Sequence, residues 1–207
     1  MPEKNINSTT MLPAALRPTP DESGMTVPQL LEHRINALFE QIPLVAELGE
    51  AFAQAGHDLY LVGGSVRDAL MGRLGHDLDF TTDARPDDTE AILRQHTHAT
   101  WDIGRAFGTI GAQIDDWVVE VTTYRADAYH PDSRKPEIVY GETLEDDLIR
   151  RDFTVNAMAL HAATRTFSDP YAGLTDIVSG ILRTPFPPER SFSDDPLRMM
   201  RAARFTS

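Results

Sequence analysis

Residues 61–80, LVGGSVRDALMGRLGHDLDF, constrain the fold more than any other stretch of this chain. An apolar run that ends in Gly63 and Gly64 is typical of a strand entering a tight turn. The next residues predict a short helix, which we expect Ser65 to cap and Gly72 to end. The segment HDLDF then predicts a second strand. A strand, a short helix and a second strand within twenty residues predict a sheet with a helix packed against it.

Two carboxylates alternate with two apolar side chains in the second predicted strand. Because side chains two apart point to the same face of a strand, Asp77 and Asp79 should share one face while Leu78 and Phe80 enter the core. Neighbouring carboxylates repel each other unless a cation lies between them. Mg²⁺ suits such a pair, since it takes oxygen ligands from one or two carboxylates and from substrate phosphates. The alternative is an exposed strand face that carries two charges by chance.

The glycine turn adds a candidate anion site beside the carboxylates. Gly63 and Gly64 leave their backbone N–H groups uncrowded, and they open a helix whose N-terminus attracts anions. Arg67, one turn further along that helix, could reach the same phosphates with its forked donors. Taken alone, a glycine pair before a helix is more often structural than functional.

The remainder of the chain alternates predicted helices with predicted strands. This mixture predicts an α+β (mixed α/β) fold, in which helices cover a mixed sheet. Residues 126–136 are polar and aperiodic, and we expect a loop there that moves during catalysis. We predict helices over 28–42, 44–55, 86–96, 143–160 and 194–205, a hairpin of 108–114 with 117–124, and a short strand and turn within 164–173.

Composition limits the function classes. The net charge of −13 argues against a free-standing nucleic-acid binder, because phosphate contacts need Lys and Arg, although Arg198, Arg201 and Arg204 form a local basic cluster. The absence of cysteine excludes disulfides and thiolate metal sites and fits a cytoplasmic protein. No apolar run approaches the roughly 20 residues that span a bilayer, so we expect no membrane partner. Residues 1–27 are polar, and we expect a disordered leader there.

Four stretches, in this order, resemble one known family: LVGGSVRDALMGR with HDLDF, VVEVTTYR, EDDLIRRDFTVNAMAL and DPLRMMRAARF. This is the tRNA nucleotidyltransferase (CCA-adding enzyme) and bacterial poly(A) polymerase family of the polymerase-β-like superfamily. The similarity runs from about residue 45 to the end. Asp194 departs from the pattern, because family members usually carry Glu there.

The resemblance implies a role for each matching residue. Asp77 and Asp79 would be catalytic and hold Mg²⁺. Asp152 and Asn156 are weaker candidates for contacts to the ribose, and Glu120 is a doubtful third carboxylate. The nucleotide-binding residues implied by the family are Gly64 and Arg67 for the triphosphate, Arg151 for the bound nucleotide, Asp195 and Arg198 for the base, and Arg201 and Arg204 as further contacts.

Several of these residues have a structural alternative. Arg150 and Arg151 could be a solvated helix end, where cations are common. Asp152 could cap a helix that begins at Phe153. Asp195, directly before a proline, is a good helix cap and could also read a base.

The resemblance also implies the activity and the domain order. The activity would be template-independent addition of C and A from CTP and ATP to the 3′ end of tRNA, with release of pyrophosphate and with no DNA partner. The alternatives are a poly(A) polymerase that uses ATP only and a truncated nucleotide-binding module without turnover. We expect a catalytic head over 28–183, followed over 184–207 by the start of a helical neck that the sequence truncates.

Overall fold

The computed structural model describes Thr19 and residues 22–73, 75–126 and 139–205. Two helices come first, and the predicted break at Pro43 between them is confirmed. The first is preceded by Thr26, whose side chain forms a reciprocal capping box with Gln29. Gly56 follows the second helix with a φ of +84°, a conformation that favours glycine. These helices are α1 (Val27–Gln41) and α2 (Pro43–Gln54).

A seven-stranded sheet forms the centre of the described part of the chain, in the order β3-β4-β5-β2-β1-β8-β9. The pairing of β2 with β5 is parallel and the other pairings are antiparallel, so the sheet is mixed, as predicted. The expected hairpin is β4 with β5, turned at Asp115 with a φ of +51°. The strands are β1 (Leu59–Val62), β2 (Asp77–Thr82), β3 (Thr100–Trp101), β4 (Thr109–Ile114), β5 (Trp117–Thr123), β8 (Ala159–His161) and β9 (Phe167–Ser168), and a separate ribbon pairs β6 (Arg125–Ala126) with β7 (Val139–Tyr140).

Helices cover one face of this sheet. Leu61, Phe80 and Val121 point from three neighbouring strands into the main apolar core, where they meet residues of α1 and α2 such as Phe52. A smaller cluster around Leu148 occupies part of the opposite face and leaves the rest of that face for a cleft. The remaining helices are α3 (Gly63–Leu70), α4 (Pro86–Leu93), α5 (Leu144–Ile149), α6 (Gly173–Ser179), α7 (Pro188–Asp194) and α8 (Leu197–Phe205).

The prediction of one helix over 143–160 is wrong. Helix α5 ends at Ile149, a 3₁₀ turn covers Thr154–Asn156, and the last residues form β8 beside β1. The carboxylate of Asp152 accepts hydrogen bonds from the backbone N–H of Phe153 and from the side chain of Asn156. Such local bonds compete with helix formation, and the pairing of β8 with β1 fixes the extended conformation that follows.

The predicted cap at Ser65 is also wrong, because α3 already begins at Gly63, with Val62 preceding it. The Ser65 hydroxyl instead connects α3 to β2. It donates to the carbonyl of Asp77 at 3.2 Å and accepts from the backbone N–H of Asp79 at 3.0 Å. Ser65 therefore fixes the strand that carries both carboxylates.

Further expectations concern the N-terminal leader, the polar loop and the C-terminal helix. Residues 1–18, 20 and 21 of the expected leader and residues 127–136 of the expected loop lie outside the described residues. Glu22, within the expected leader, is buried and pairs with Arg34 at 3.0 Å. The final helix is confirmed as α8, whereas α6 and α7 were not predicted. None of the described helices is both long enough and apolar enough to cross a bilayer.

Candidate functional site

An open cleft lies on the sheet face opposite the main core. Its walls come from β2, the start of α3, the segment after α5, and the region around α8. The chain as a whole is strongly acidic, yet positive charges slightly outnumber negative ones in this cleft, which favours an anionic ligand. Five guanidinium groups (Arg125, Arg150, Arg151, Arg198 and Arg201) and four carboxylates (Asp79, Asp147, Asp152 and Asp195) line it.

The two strand carboxylates lie as the alternation predicts. Asp77 and Asp79 are exposed on one face of β2, and Leu78 and Phe80 are buried on the other. Asp79 lines the cleft, whereas Asp77 lies further along the same face and is not among the lining residues. Glu120 is the cross-strand neighbour of Asp79 on β5. Three carboxylates therefore share this part of the open face.

Electrostatics around Asp79 favour a bound cation. Desolvation by the surrounding protein raises the pKa of the Asp79 carboxyl, Glu120 and Asp77 raise it further, and Arg151 opposes them. A cation among these carboxylates would reverse the repulsion. No set of three or more acidic, histidine or cysteine side chains within the described ranges forms a closed metal site. The donors thus fit a hard divalent ion that takes further oxygen ligands from a substrate.

Gly63 permits a close approach between the glycine turn and an arginine. Its φ is +66°, and a Cβ at this position would lie 3.0 Å from Nη1 of Arg151 and 4.0 Å from Oδ2 of Asp79. A larger residue would therefore be strained in its backbone and crowded in its side chain. The sequence identified Gly63 as part of a turn but gave no sign of this contact.

Arg151 is held in place by Asp147, one helical turn earlier. Its Nη2 and Nε donate to the Asp147 carboxylate at 2.7 and 3.2 Å, and Asp147 is only 3% exposed. The alternative of a solvated helix end is therefore wrong for Arg151. Its remaining terminal nitrogen, Nη1, lies beside Gly63.

Arg125 is a cleft residue that sequence reasoning missed. Its Nη2 donates to the Thr109 hydroxyl at 2.9 Å, while its Nε is buried and has no hydrogen-bond partner among the described residues. Desolvation lowers the pKa of the Arg125 guanidinium, and Arg150 and Arg151 lower it further, against the opposing effect of Asp147. A bound anion would relieve this crowding of positive charge. The only signal was the arginine that ends VVEVTTYR.

The residues expected to read the base lie where α7 meets α8. Asp195 accepts from the backbone N–H of Leu197 at 3.0 Å, so its capping role is confirmed. Nε of Arg198 lies 4.0 Å from the Asp195 carboxylate. The terminal nitrogens of Arg198 donate to the Ser191 hydroxyl and to the carbonyl of Arg150, each at 2.6 Å. These bonds fix the guanidinium beside Asp195.

Asp152 lines the cleft, where its carboxylate binds other residues of the protein. Arg201 pairs with its carboxylate at 2.8 Å, and Asp152 also holds Phe153 and Asn156, as described above. The cap alternative is correct as to the bond with the Phe153 N–H, although a single 3₁₀ turn follows in place of a helix. Asp152 thereby connects α8 to the segment after α5.

Two of the expected nucleotide contacts are not brought into the cleft. Arg67 does not line the cleft: it holds Asp68 through two nitrogens, donates to Asn156 at 2.6 Å, and lies 5.1 Å from the Phe205 ring centre. Arg204 is exposed on α8 and does not line the cleft. The expected nucleotide contacts that do line it are Gly64, Arg151, Asp195, Arg198 and Arg201.

Known proteins share this sequence and this fold. The chain is 43% identical over 155 residues to the CCA-adding enzyme of Bacillus subtilis, an alignment that covers 74% of this chain and 38% of that relative. It is 41% identical over 173 residues to the CCA-adding enzyme of Staphylococcus aureus, covering 83% of this chain and 41% of that one. The chain thus spans about two fifths of the length of these relatives.

Solved structures agree. The Bacillus stearothermophilus CCA-adding enzyme in complex with CTP superposes with a TM-score of 0.70 at 38% identity, over 80% of this chain and 39% of that one. The Thermotoga maritima CCA-adding enzyme complexed with tRNA gives a TM-score of 0.66 at 26% identity, over 87% and 40%. The family model of the Poly A polymerase head domain matches residues 59–183, which hold both carboxylates and most of the cleft. The chain therefore belongs to the Poly A polymerase head domain family.

Proposed function

We propose that this chain is the catalytic head of a tRNA nucleotidyltransferase. It would add C and A from CTP and ATP to the 3′ end of tRNA and release pyrophosphate. The observation that carries the proposal is the arrangement around Gly63, where a Cβ would lie 3.0 Å from Nη1 of Arg151 and 4.0 Å from Oδ2 of Asp79. The proposed cation site would therefore lie beside the proposed triphosphate site. Further support comes from relatives and solved structures named as CCA-adding enzymes.

Asp77 and Asp79 are the proposed metal ligands. Nucleotidyltransferases of this family use a divalent metal, and Mg²⁺ fits two carboxylates that leave other positions for phosphate oxygens. When bound, the ion would supply positive charge at the reacting phosphate and lower the pKa of the attacking hydroxyl. Glu120 is the candidate third carboxylate, because it is the cross-strand neighbour of Asp79.

The arginines of the cleft would bind and orient the triphosphate. Arg151, fixed by Asp147, presents Nη1 beside Gly63, and the backbone of Gly64 lines the same wall. Arg201, on α8, also lines the cleft. Such fixed donors hold the α-phosphorus in line with an attacking hydroxyl and balance the charge of the leaving pyrophosphate. Arg67 and Arg204 would act only after a rearrangement that turns their side chains towards the ligand.

Asp195 and Arg198 are the proposed readers of the base. Cytosine and adenine both present an amino donor beside a ring-nitrogen acceptor, whereas uracil and guanine present an acceptor beside an N–H donor. An ionised aspartate only accepts hydrogen bonds and an arginine only donates them, so this pair matches C and A and opposes U and G. Asp195 is 46% exposed and so accessible to a base, whereas Arg198 is 12% exposed and is held in place by Ser191 and by the carbonyl of Arg150. No nucleic-acid template is needed for this choice.

The domain division and the location of the protein belong to the same proposal. The head would occupy 28–183, consistent with the family match over 59–183, and 184–207 would begin a helical neck. We propose a cytoplasmic location, since the proposed substrates, tRNA and nucleoside triphosphates, are found there.

The test is to incubate the chain with Mg²⁺ and a tRNA that lacks its 3′-terminal nucleotides, adding each of the four triphosphates separately. The proposal predicts extension with CTP and ATP and none with UTP or GTP. Extension with ATP alone, on any RNA end, would identify a poly(A) polymerase instead. Binding of CTP and ATP without any extension would identify a nucleotide-binding module without turnover.

A further inference from the structure

We propose that Trp101 is a stacking platform for the 3′-terminal base of the RNA acceptor. This inference rests on the proposed nucleotide transfer and goes beyond it, because it assigns a binding site for the second substrate to residues outside the cleft.

A cross-strand row joins Trp101 to the catalytic strand. Trp101 on β3 pairs with Gly111 on β4, Gly111 pairs with Glu120 on β5, and Glu120 pairs with Asp79 on β2. Neighbouring strands lie about 4.8 Å apart, so the Gly111 position is roughly 10 Å from Asp79. That distance is similar to the span from the 3′-hydroxyl of a nucleotide to the far edge of its base.

The Trp101 ring lies on the same face as the carboxylates. Ile110 and Ala112, which flank Gly111, point into the main core, so the open face is the one on which Gly111 would carry a side chain. A Cβ on Gly111 would lie only 2.1 Å from the Trp101 ring. The indole therefore covers the glycine from the open side, and Gly111 is buried for that reason.

Trp101 is not a core residue in the described part of the chain. It joins neither apolar cluster, whereas Trp117, on the same sheet, packs against the main core. Trp101 nevertheless remains partly exposed, with one face of its ring supported by the glycine. A supported aromatic ring with an accessible surface is what base stacking requires.

The in-line geometry of the reaction indicates that the base stacked on Trp101 would belong to the RNA acceptor. An in-line displacement places the attacking hydroxyl opposite the leaving pyrophosphate. The glycine turn follows β1 and Arg151 precedes β8, so the proposed triphosphate site lies on the β1–β8 side of Asp79. The attacking strand must then approach from the other side of β2, which is the side of β5, β4 and β3. Trp101 is the aromatic residue of the row on that side.

The experiment uses the two tryptophans of the chain separately. In Trp117→Phe, Trp101 is the only tryptophan, and we expect its fluorescence, excited selectively over that of tyrosine, to be quenched by an RNA hairpin with a single-stranded 3′ end. The matched control Trp101→Phe retains Trp117 as the only tryptophan, which should not respond. Low ionic strength is used because we expect a chain with a net charge of −13 to bind RNA weakly.

A double-mutant cycle separates stacking from a structural role. Trp101→Leu keeps apolar bulk over Gly111 but removes the flat ring, and we expect it to weaken RNA binding roughly 5- to 100-fold. The KM for CTP should stay unchanged, and Trp101→Phe should restore most of the RNA affinity. An RNA with an abasic 3′ end should lose a similar factor with the wild type and lose nothing further with Trp101→Leu.

The outcomes distinguish failure of the stacking platform from failure of the proposed function. Equal, independent losses from the abasic RNA and from Trp101→Leu, or no quenching of Trp101 while the wild type extends RNA, would overturn the stacking platform alone. Quenching and coupling without any nucleotide transfer by the wild type would overturn the proposed function alone. No RNA binding by the wild type would overturn both.

Discussion

Replacing Gly63 by alanine should destabilise the protein and disturb the cleft, whereas the same change at Gly64 should not destabilise it. Gly63 has a φ of +66°, and left-handed backbone costs an alanine about 1–2 kcal/mol. The new Cβ would also lie 3.0 Å from Nη1 of Arg151, whose other nitrogens are held by Asp147. At Gly64 the Cβ would meet only Nη2 of Arg67 at 3.5 Å, and alanine gains up to about 1 kcal/mol within a helix.

Calorimetry of the two variants checks this reasoning. A difference of about 2 kcal/mol corresponds to melting temperatures roughly 4–8 °C apart in a chain of this size, with Gly63→Ala the less stable. CTP affinity of Gly63→Ala should fall as well, because Arg151 must move. Equal melting temperatures for the two variants would show that the left-handed conformation and the contact with Arg151 have no energetic consequence.

Three further substitutions test individual contacts, two that support the site and one that joins the N-terminal segment to α1. Ser65→Ala removes two hydrogen bonds to β2 and should cost about 1 kcal/mol in unfolding free energy, and by releasing Asp79 it should slow nucleotide transfer about tenfold. Asp147→Asn should raise the KM for CTP with little change in the KM for RNA, because a neutral amide holds the Arg151 guanidinium less strongly than a carboxylate does. The pKa of Glu22 is lowered to about 2 from 4.5, chiefly by its ion pair, so its stabilisation is complete above pH 4.5 and is lost as the pH falls towards 2. Glu22→Gln should therefore show a smaller loss of melting temperature than the wild type between pH 6 and pH 3.

The part of the site that depends on local periodicity could be predicted from the sequence. The two-residue period of HDLDF is enough to separate Asp77 and Asp79 from Leu78 and Phe80, because each side chain's face follows from the strand alone. The hairpin at Asp115 and the helices beside Pro43 are local in the same sense.

The predictions that were wrong or missing concern residues whose positions depend on segments distant in the sequence. Ser65 is a reasonable cap by type, but its hydroxyl bonds to β2, which no local pattern reveals. The 143–160 segment has helical residues, yet its end pairs with β1, and tertiary pairing overrides propensity. Arg125 and Asp147 enter the site only because β6 and α5 meet in space. The position of Arg67 is likewise fixed by a hydrogen bond to Asn156, which is distant in the sequence.

Single-turnover transfer by Asp79→Asn tests the central claim most directly. The wild type and this variant would be mixed with Mg²⁺, CTP and a tRNA lacking its 3′ nucleotides, with CTP affinity and melting temperature measured in parallel. Asparagine keeps the shape of the side chain and removes the charge that the cation needs, so we predict that transfer falls at least about 10³-fold while CTP binding and folding are retained. Transfer by Asp79→Asn at a rate near that of the wild type would contradict the account.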